Sequence, residues 1–388
     1  MKKNIAIIIT KLNGGGAERC ASNLSVELSK IYNVYLIVFD ASDITYPYGG
    51  KLIDLKVPKS EGGIKRYLGV LKRSQMIHKI KKENNIDVSI SLLEGPNLVN
   101  VLSRWKEKVI VSVRNCMSKQ NGSRIANAII KYASKKADVT VSLSEMVKID
   151  LVDNYDIDAN KIITIYNHVD QELLKAQKNE SDFVLDVNRK YIVNMGRLHH
   201  QKGQWHLIRA FSKIATQCPD LDLLILGEGE LKQHLQQLAK ELGVEKRVLM
   251  PGYIKSPHCY FNDCEMFVFS SLYEGLGNVL LEAEAFSLPI ISTDCIAGPR
   301  EILAPDSDFR KSANDLEFAK YGILSPVDER DFLTSDVPCT REESLLAEAI
   351  LNLHIDKNLQ EKYREASQEG SKRFKKEKII NDWIQVIG

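Results

Sequence analysis

The stretch Glu265-Met266-Phe267-Val268-Phe269-Ser270-Ser271-Leu272-Tyr273-Glu274-Gly275-Leu276-Gly277-Asn278-Val279-Leu280-Leu281-Glu282-Ala283 runs on through Leu288 and Pro289 to Gly298-Pro299-Arg300-Glu301. Its opening apolar run, residues 266–269, reads as a buried strand. A polar, glycine-containing turn follows over residues 270–278. Leu280, Leu281, Ala285 and Leu288 then recur at helical spacing, and Pro289 closes that helix. Residues 289–292 form a second buried strand, ending in Thr293 and Asp294. Strand, glycine turn, helix and strand make one unit of a parallel sheet, with the turn at the strand's carboxyl end, where such sheets bind ligands.

Two carboxylates stand out in this unit. Glu274 lies in the turn, and Glu282 lies eight positions later on the helix, sharing a face with Asn278. The helix N-terminus near Gly277 and Asn278 offers free N–H groups and a positive dipole end, a ready site for phosphate. One carboxylate then accepts from sugar hydroxyls and the other from ribose hydroxyls, as a sugar nucleotide would require. A solvated helix glutamate beside an ordinary turn glutamate has the same spacing, so spacing alone leaves both readings open.

The string from Glu274 to Ala283 resembles the Glu-x7-Glu signature of family 4 retaining glycosyltransferases, which have the GT-B fold. The resemblance implies an α/β protein of two doubly wound Rossmann-like domains facing a cleft. It assigns a catalytic role to Glu274, and donor binding to Leu276, Gly277, Asn278, Val279 and Glu282. Gly277 stands where bacterial relatives often carry proline, and is expected to loosen the turn without removing a ligand.

Other stretches fit the same family. A strand at residues 191–195 leads into Gly196-Arg197-Leu198-His199-His200-Gln201-Lys202-Gly203, just before a helix. Two cations after a glycine match the roughly two negative charges of a diphosphate. The family uses an arginine and a lysine in this motif, and Arg197 and Lys202 occupy those positions beside Gly196. Residues 248–253 resemble the loop that meets the nucleotide base, with Tyr253 at its end. Gly227-Glu228-Gly229 starts like a dinucleotide fingerprint but lacks its third glycine, which excludes a dehydrogenase reading here.

Near the start, a strand at residues 4–10 precedes Lys11-Leu12-Asn13-Gly14-Gly15-Gly16 and a helix through Leu28. The Gly-Lys-Ser/Thr ending of a P-loop is absent. Contiguous glycines suit either a tight turn or a close approach to a ligand. The loop resembles the first glycine loop of GT-B enzymes, which makes Gly15 and Gly16 donor-side candidates. A strand at residues 109–113 ends in Arg114-Asn115, where many family members hold a histidine near the reacting sugar. None stands here, so no catalytic histidine is transferred, and Arg114 and Asn115 are the acceptor-side candidates. His168, in the exit turn after residues 162–166, reads as structural.

The domain boundaries follow: an acceptor domain over 1–170, a polar linker over 171–188, a nucleotide-sugar domain over 189–372, and a terminal segment, 373–388, that in GT-B folds packs back on the first domain. A length of 388 residues suits two domains, and 44% hydrophobic residues exclude global disorder. Seven scattered cysteines make neither a disulfide framework nor paired zinc spacing, although His258, Cys259 and Cys264 cluster locally. Asp306-Ser307-Asp308 follows Pro305 in a loop and reads as surface, so no metal and no cofactor are expected. There is no secretory core after Met1 and no apolar run of about 20 residues. The expected place is the cytoplasm, peripheral on the inner membrane.

Residues 1–185 carry 28 Lys+Arg against 20 Asp+Glu, and the remainder 25 against 31, so a net charge of +2 hides a basic first half. That half calls for an anionic partner. Residues 64–82 read as a basic amphipathic helix with Ile64, Leu68, Leu71 and Ile80 as its stripe, suited to an anionic membrane surface or to plain solvent. A nucleic-acid module is disfavoured, because the basic half lacks aromatic interleaving and any recognised motif. By the resemblance, the substrates are a nucleotide-diphospho-sugar, of which UDP is the expected nucleotide, and a lipid-linked glycan acceptor. An inverting transferase or a nucleotide-sugar epimerase on the same fold remains the rival reading.

Overall fold

The computed structural model describes residues 2–58, 62–116, 118, 124–177, 183–332 and 334–388, with only the backbone of Ile64 and Arg66. The chain divides into two compact units, residues 1–167 with 377–388, and residues 168–376.

The first unit runs β1 (Asn4–Ile9), α1 (Gly16–Ser29), β2 (Asn33–Val38), β3 (Lys51–Asp54), α2 (Gly63–Glu83), β4 (Val88–Leu92), α3 (Glu94–Leu102), β5 (Lys108–Val113), α4 (Arg124–Lys136), β6 (Val139–Ser142), α5 (Glu145–Tyr155) and β7 (Ile162–Thr164). Its sheet has the order β3-β2-β1-β4-β5-β6-β7 and is parallel throughout. Ile5 to Ile9 are all buried, as expected of a central strand covered on both faces. The terminal helix, Lys376–Ile387, belongs to this unit and adds Ile379, Ile380, Trp383, Val386 and Ile387 to the core around Ile5, Leu24 and Leu28. Lys108 Nζ donates to the Val386 carbonyl near its end, at 2.6 Å. Hydrophobic periodicity passes over β3 and α3, because one is four residues long and the other opens on Glu94-Gly95-Pro96.

α2 departs from its expected stripe. Leu68 and Leu71 are 56% and 38% exposed, and Tyr67 beside them is 63% exposed. The helix instead buries Arg73, Ser74, Ile77 and Lys81. Arg73 donates to the Val57 and Pro58 carbonyls at 3.2 and 3.0 Å and lies 4.8 Å from the Phe39 ring centroid. Lys81 and Glu107, both side chains 0% exposed, pair at 2.7 Å. Lys81 also donates to the Asn100 carbonyl at 3.0 Å and to its Oδ1 at 2.8 Å. With three donors matched to three acceptors, an ammonium can take the place that periodicity reserves for leucine.

The second unit runs α6 (Gln171–Lys175), β8 (Lys190–Met195), α7 (Gln204–Ile214), β9 (Leu221–Leu226), α8 (Lys232–Glu241), β10 (Val248–Gly252), β11 (Met266–Phe269), α9 (Asn278–Ala285), β12 (Ile290–Thr293), α10 (Pro299–Leu303), β13 (Glu317–Phe318), β14 (Ile323–Ser325), α11 (Arg341–Ile355) and α12 (Lys357–Ser371). Its sheet has the order β10-β9-β8-β11-β12-β14-β13, with only the last pair antiparallel. Trp205, Leu207, Ile208 and Phe211 of α7 and Leu346, Ile350 and Leu353 of α11 fill one core with the sheet. α11 starts in a full capping box, Thr340 with Glu343. The expected linker begins with α6, and its residues 178–182 lie outside the described residues.

Burial pushes the Lys81 ammonium down to about 8 against the opposing pull of Glu107. Lys81→Met leaves Glu107 buried without a counter-ion and should cost about 3–5 kcal/mol in a urea titration. The double variant Lys81→Met, Glu107→Leu should recover at least half of that loss. A single variant as stable as wild type would mean that the pair does not hold α2.

Candidate active site

In the second unit the strand order reverses between β8 and β11, neighbours whose sequels turn to opposite sides. Such a switch point opens a crevice at the strands' carboxyl ends. Two loops leave the sheet there, one carrying Gly196 to Gly203 and the other Ser270 to Gly277. Gly203 has φ +56°, and a Cβ on it would fall 2.4 Å from the Ser270 carbonyl oxygen, so glycine lets the loops touch. Ser270 Oγ donates to the Lys202 carbonyl at 2.8 Å, Leu272 N–H to the Gln201 carbonyl at 2.8 Å, and Gln201 Nε2 to the Tyr273 carbonyl at 2.8 Å.

This stitching brings together two residues that the sequence placed on different tasks. Lys202 Nζ donates to Glu274 Oε1 at 2.5 Å, and Ser271 Oγ donates to the same oxygen at 2.9 Å. The ammonium also lies 5.4 Å from the Phe269 ring centroid. Gly196 lies along the Lys202 stem, where a Cβ would stand 3.3 Å from Cε. Arg197 is exposed, and among the described residues it makes no ion pair. The site therefore holds one paired and one open cation.

α9 begins where the turn ends. Gly277 caps it at φ +82°, a left-handed value closed to proline, whose ring holds φ near −65°. A Cβ on Gly298 would sit 1.8 Å from the Leu276 carbonyl oxygen, so this turn is backed closely by chain. Leu276 is buried, and the N–H groups of Asn278 and Val279 open the helix. The helix stops at Ala285, before Ser287 at φ +57°, short of Pro289.

Glu282 is buried and not a solvated helix glutamate, and His258 Nε2 lies 3.0 Å from its Oε2. Nothing in the sequence marks His258 for this, because it stands on a separate 3-10 stretch, Pro257–Asp263. The local cluster with Cys259 and Cys264 is used otherwise, since Cys264 Sγ donates to the Tyr260 carbonyl at 3.2 Å. Among the described residues, three ligand-type side chains converge at His206, Asp328 and Glu343. Arg209 Nε donates to Glu343 at 2.8 Å and occupies the cation's role there. Asp306 pairs with Lys320 at 3.1 Å, and Asp308 accepts from the Arg310 N–H at 3.0 Å, both on the surface. At the end of β10, Tyr253 holds its ring in solvent while its N–H donates to Glu228 at 3.1 Å.

In the first unit the reversal falls between β1 and β4. Gly15 caps α1, and a Cβ there would lie 2.0 Å from Glu18 Oε2, so that carboxylate folds over the helix start that Gly16 opens. Leu93 at φ +76° and Glu94 follow β4 at the same reversal, a position periodicity does not flag. Arg114 is buried and donates to Asn167 Oδ1 and, at 3.4 Å, to Ser112 Oγ, so its guanidinium is committed inside the unit. Asn115 next to it is half-buried.

Residues 14–173 match the family model described as Glycosyltransferase Family 4, and residues 175–317 the one described as Glycosyl transferases group 1. An uncharacterized glycosyltransferase of Methanocaldococcus jannaschii is 34% identical over 82% of this chain and 83% of its own. The N-acetylgalactosamine-N,N'-diacetylbacillosaminyl-diphospho-undecaprenol 4-alpha-N-acetylgalactosaminyltransferase of Campylobacter jejuni is 30% identical over 99% of both chains. The crystal structure of Anabaena HepE in complex with UDP and glucose superposes with a TM-score of 0.76 at 17% identity, covering 99% of both chains. Among the described residues, no helix is long and apolar enough to cross a membrane.

Two positions beyond Glu282, Glu284 is fully buried with Arg373 Nη2 at 3.4 Å, and burial pushes its carboxyl up to about 8 despite that cation. Folding therefore favours its protonated form, a contribution present below the ordinary carboxylate range and lost as pH rises through about 8. Glu284→Gln, neutral at every pH, should melt close to wild type at pH 5 and above it at pH 9. Parallel melting curves across that range would show that Glu284 titrates normally.

Proposed function

The chain belongs to the family 4 glycosyltransferases of the GT-B fold, and from that premise we propose that it moves a sugar, with retention of anomeric configuration, from a UDP-sugar to a lipid-diphosphate-linked saccharide. The observation that carries this reading is the Lys202–Glu274 pair at the β8/β11 reversal, beside the start of α9 and the open Arg197. A leaving diphosphate gains charge as the glycosidic bond breaks. Arg197, Lys202 and the N–H groups of Asn278 and Val279 stabilise it electrostatically, without proton transfer. A diphosphate brings about two charges against the single carboxylate of Glu274, so Lys202 can be shared between them. Glu274 then accepts from the sugar hydroxyls and Glu282 from the ribose. Gly196, Leu276 and Gly277 allow close approach, and Tyr253 lies beside the base. Fixed cations fill the place that magnesium takes in other phosphate enzymes, so the transfer needs no metal.

The nucleotide is suggested by the UDP in the Anabaena structure, and the acceptor by the diphospho-undecaprenol in the name of the Campylobacter relative. A membrane-bound acceptor also gives α2 a role. Its first half exposes Tyr67, Leu68 and Leu71 beside exposed Lys65 and Lys72, a surface suited to an anionic leaflet on the cytoplasmic side.

Lys202→Ala and Arg197→Ala should each slow transfer on the order of 100- to 1,000-fold, with the fold intact. In the same assay, excess chelator should leave the wild-type rate within about twofold, and the product should keep the donor's anomeric configuration. Near-normal clamp variants would mean that the diphosphate is held elsewhere. An inverted product, or an epimerised free nucleotide-sugar, would favour the rival enzymes of this fold.

The chain should also pellet with anionic vesicles and not with neutral ones, and high salt should release it. Each cation near the leaflet adds about 1 kcal/mol. Lys65→Gln with Lys72→Gln should therefore weaken the binding several-fold and leave nucleotide binding unchanged. Equal pelleting of wild type and variant would make α2 a solvated face.

A further inference from the structure

A carboxyl group accepts most strongly when it is ionised, and an ionised carboxylate in a buried site needs donors or a cation nearby. His258 supplies a donor from an element that the family signature does not include. Its Nε2 stands 3.0 Å from Glu282 Oε2, and both residues are 5% exposed. The ring is held on its faces and edges. Phe286, just past the end of α9, stacks nearly parallel to it at 6.2 Å and 10°, and Phe261 meets it edge-on at 5.3 Å.

The other nitrogen, Nδ1, lies 3.2 Å from the side-chain amide of Gln177, which follows α6. If the amide presents its NH2 group, Nδ1 accepts and Nε2 carries the proton. With the amide turned that way, Nε2 is the donor to Glu282. Lys175, two residues before Gln177, puts its ammonium 5.9 Å from the Phe286 ring centroid and adds positive potential to the same corner.

We infer that His258 is a positioning residue for Glu282: it holds one carboxylate oxygen and so fixes the plane in which the acid accepts from the hydroxyls of the nucleotide's ribose. The inference rests on the nucleotide reading of the site. A carboxylate held through one oxygen by a packed ring keeps its plane, and with it the direction of the other oxygen. A site built to bind a hydroxyl rejects ligands that lack it, and only a fixed acceptor does so strongly. His258 thus contributes to donor recognition without touching the donor.

The test compares two amides of different reach. His258→Gln places its nitrogen near the position of Nε2, while His258→Asn stops near Nδ1, and His258→Phe keeps the ring packing without a donor. Calorimetric titration uses UDP against 2′,3′-dideoxy-UDP, with the guanosine pair run in parallel. The wild type should prefer the ribose form of its nucleotide by about tenfold, as expected for a hydrogen bond to a charged acceptor. His258→Asn and His258→Phe should cut that preference below about threefold and raise the donor KM with kcat little changed, while His258→Gln keeps most of it.

Asn and Phe variants that retain the full preference overturn the inference. A wild type that binds ribose and dideoxy forms equally overturns the assignment of Glu282 itself, and the inference with it. On the unaltered protein, nitrogen NMR of labelled histidine should show a His258 Nε2–H slow to exchange that shifts with the ribose nucleotide and not with the dideoxy form. An exchanging proton, or the same shift with both, also overturns it, whatever the folding of the variants.

Discussion

The second unit is arranged around the contact of an ammonium with a carboxylate at the point where its strand order reverses. Lys202 and Glu274 leave neighbouring strands that send their helices to opposite sides, and beyond β8 and β11 the Leu272 N–H on the Gln201 carbonyl continues the join. Side chains and turns complete it: Gly203 under the Ser270 carbonyl, Ser270 on the Lys202 carbonyl, Gln201 on Tyr273. A half-buried ion pair adds little net stability once desolvation is counted. Its effect is directional, since it holds a cation and an acceptor about one hydrogen bond apart.

α9 shows how environment separates like groups. Glu282 and Glu284 are two residues apart, and so project from different sides of the helix. Glu282 has the donor ring of His258, whereas Glu284 is fully buried, and its Oε2 meets no hydrogen-bond donor among the described residues. Burial outweighs the nearby Arg373 and makes Glu284 hold its proton. One residue type thus meets a ring nitrogen on one side of the helix and a neutral core position on the other.

In the first unit, the excess of cations is not all surface charge. Arg73, Lys81 and Arg114 are buried and tie segments together through carbonyls, Glu107 and Asn167. Long cationic side chains can do this because their stems pack as hydrocarbon while their heads collect several acceptors. Exposed cations such as Lys65 and Lys72 stand beside apolar residues that are themselves exposed.

The sequence by itself determined what depends on near neighbours. β1, β8 and β11 are legible as apolar runs and α9 by its period, because backbone geometry fixes side-chain direction over a few residues, whereas the spacing of Glu274 and Glu282 left their surroundings open. The left-handed Gly277 was legible only as a glycine, since its φ depends on the chain packed behind it at Gly298. Tertiary structure alone decided the pairings. Lys202 meets Glu274 over 72 positions, Arg114 meets Asn167 over 53 and His258 meets Glu282 over 24. No local periodicity encodes which loop stands beside which. Strand order decides it, and strand order is set by how two complete sets of helices cover the two faces of each sheet.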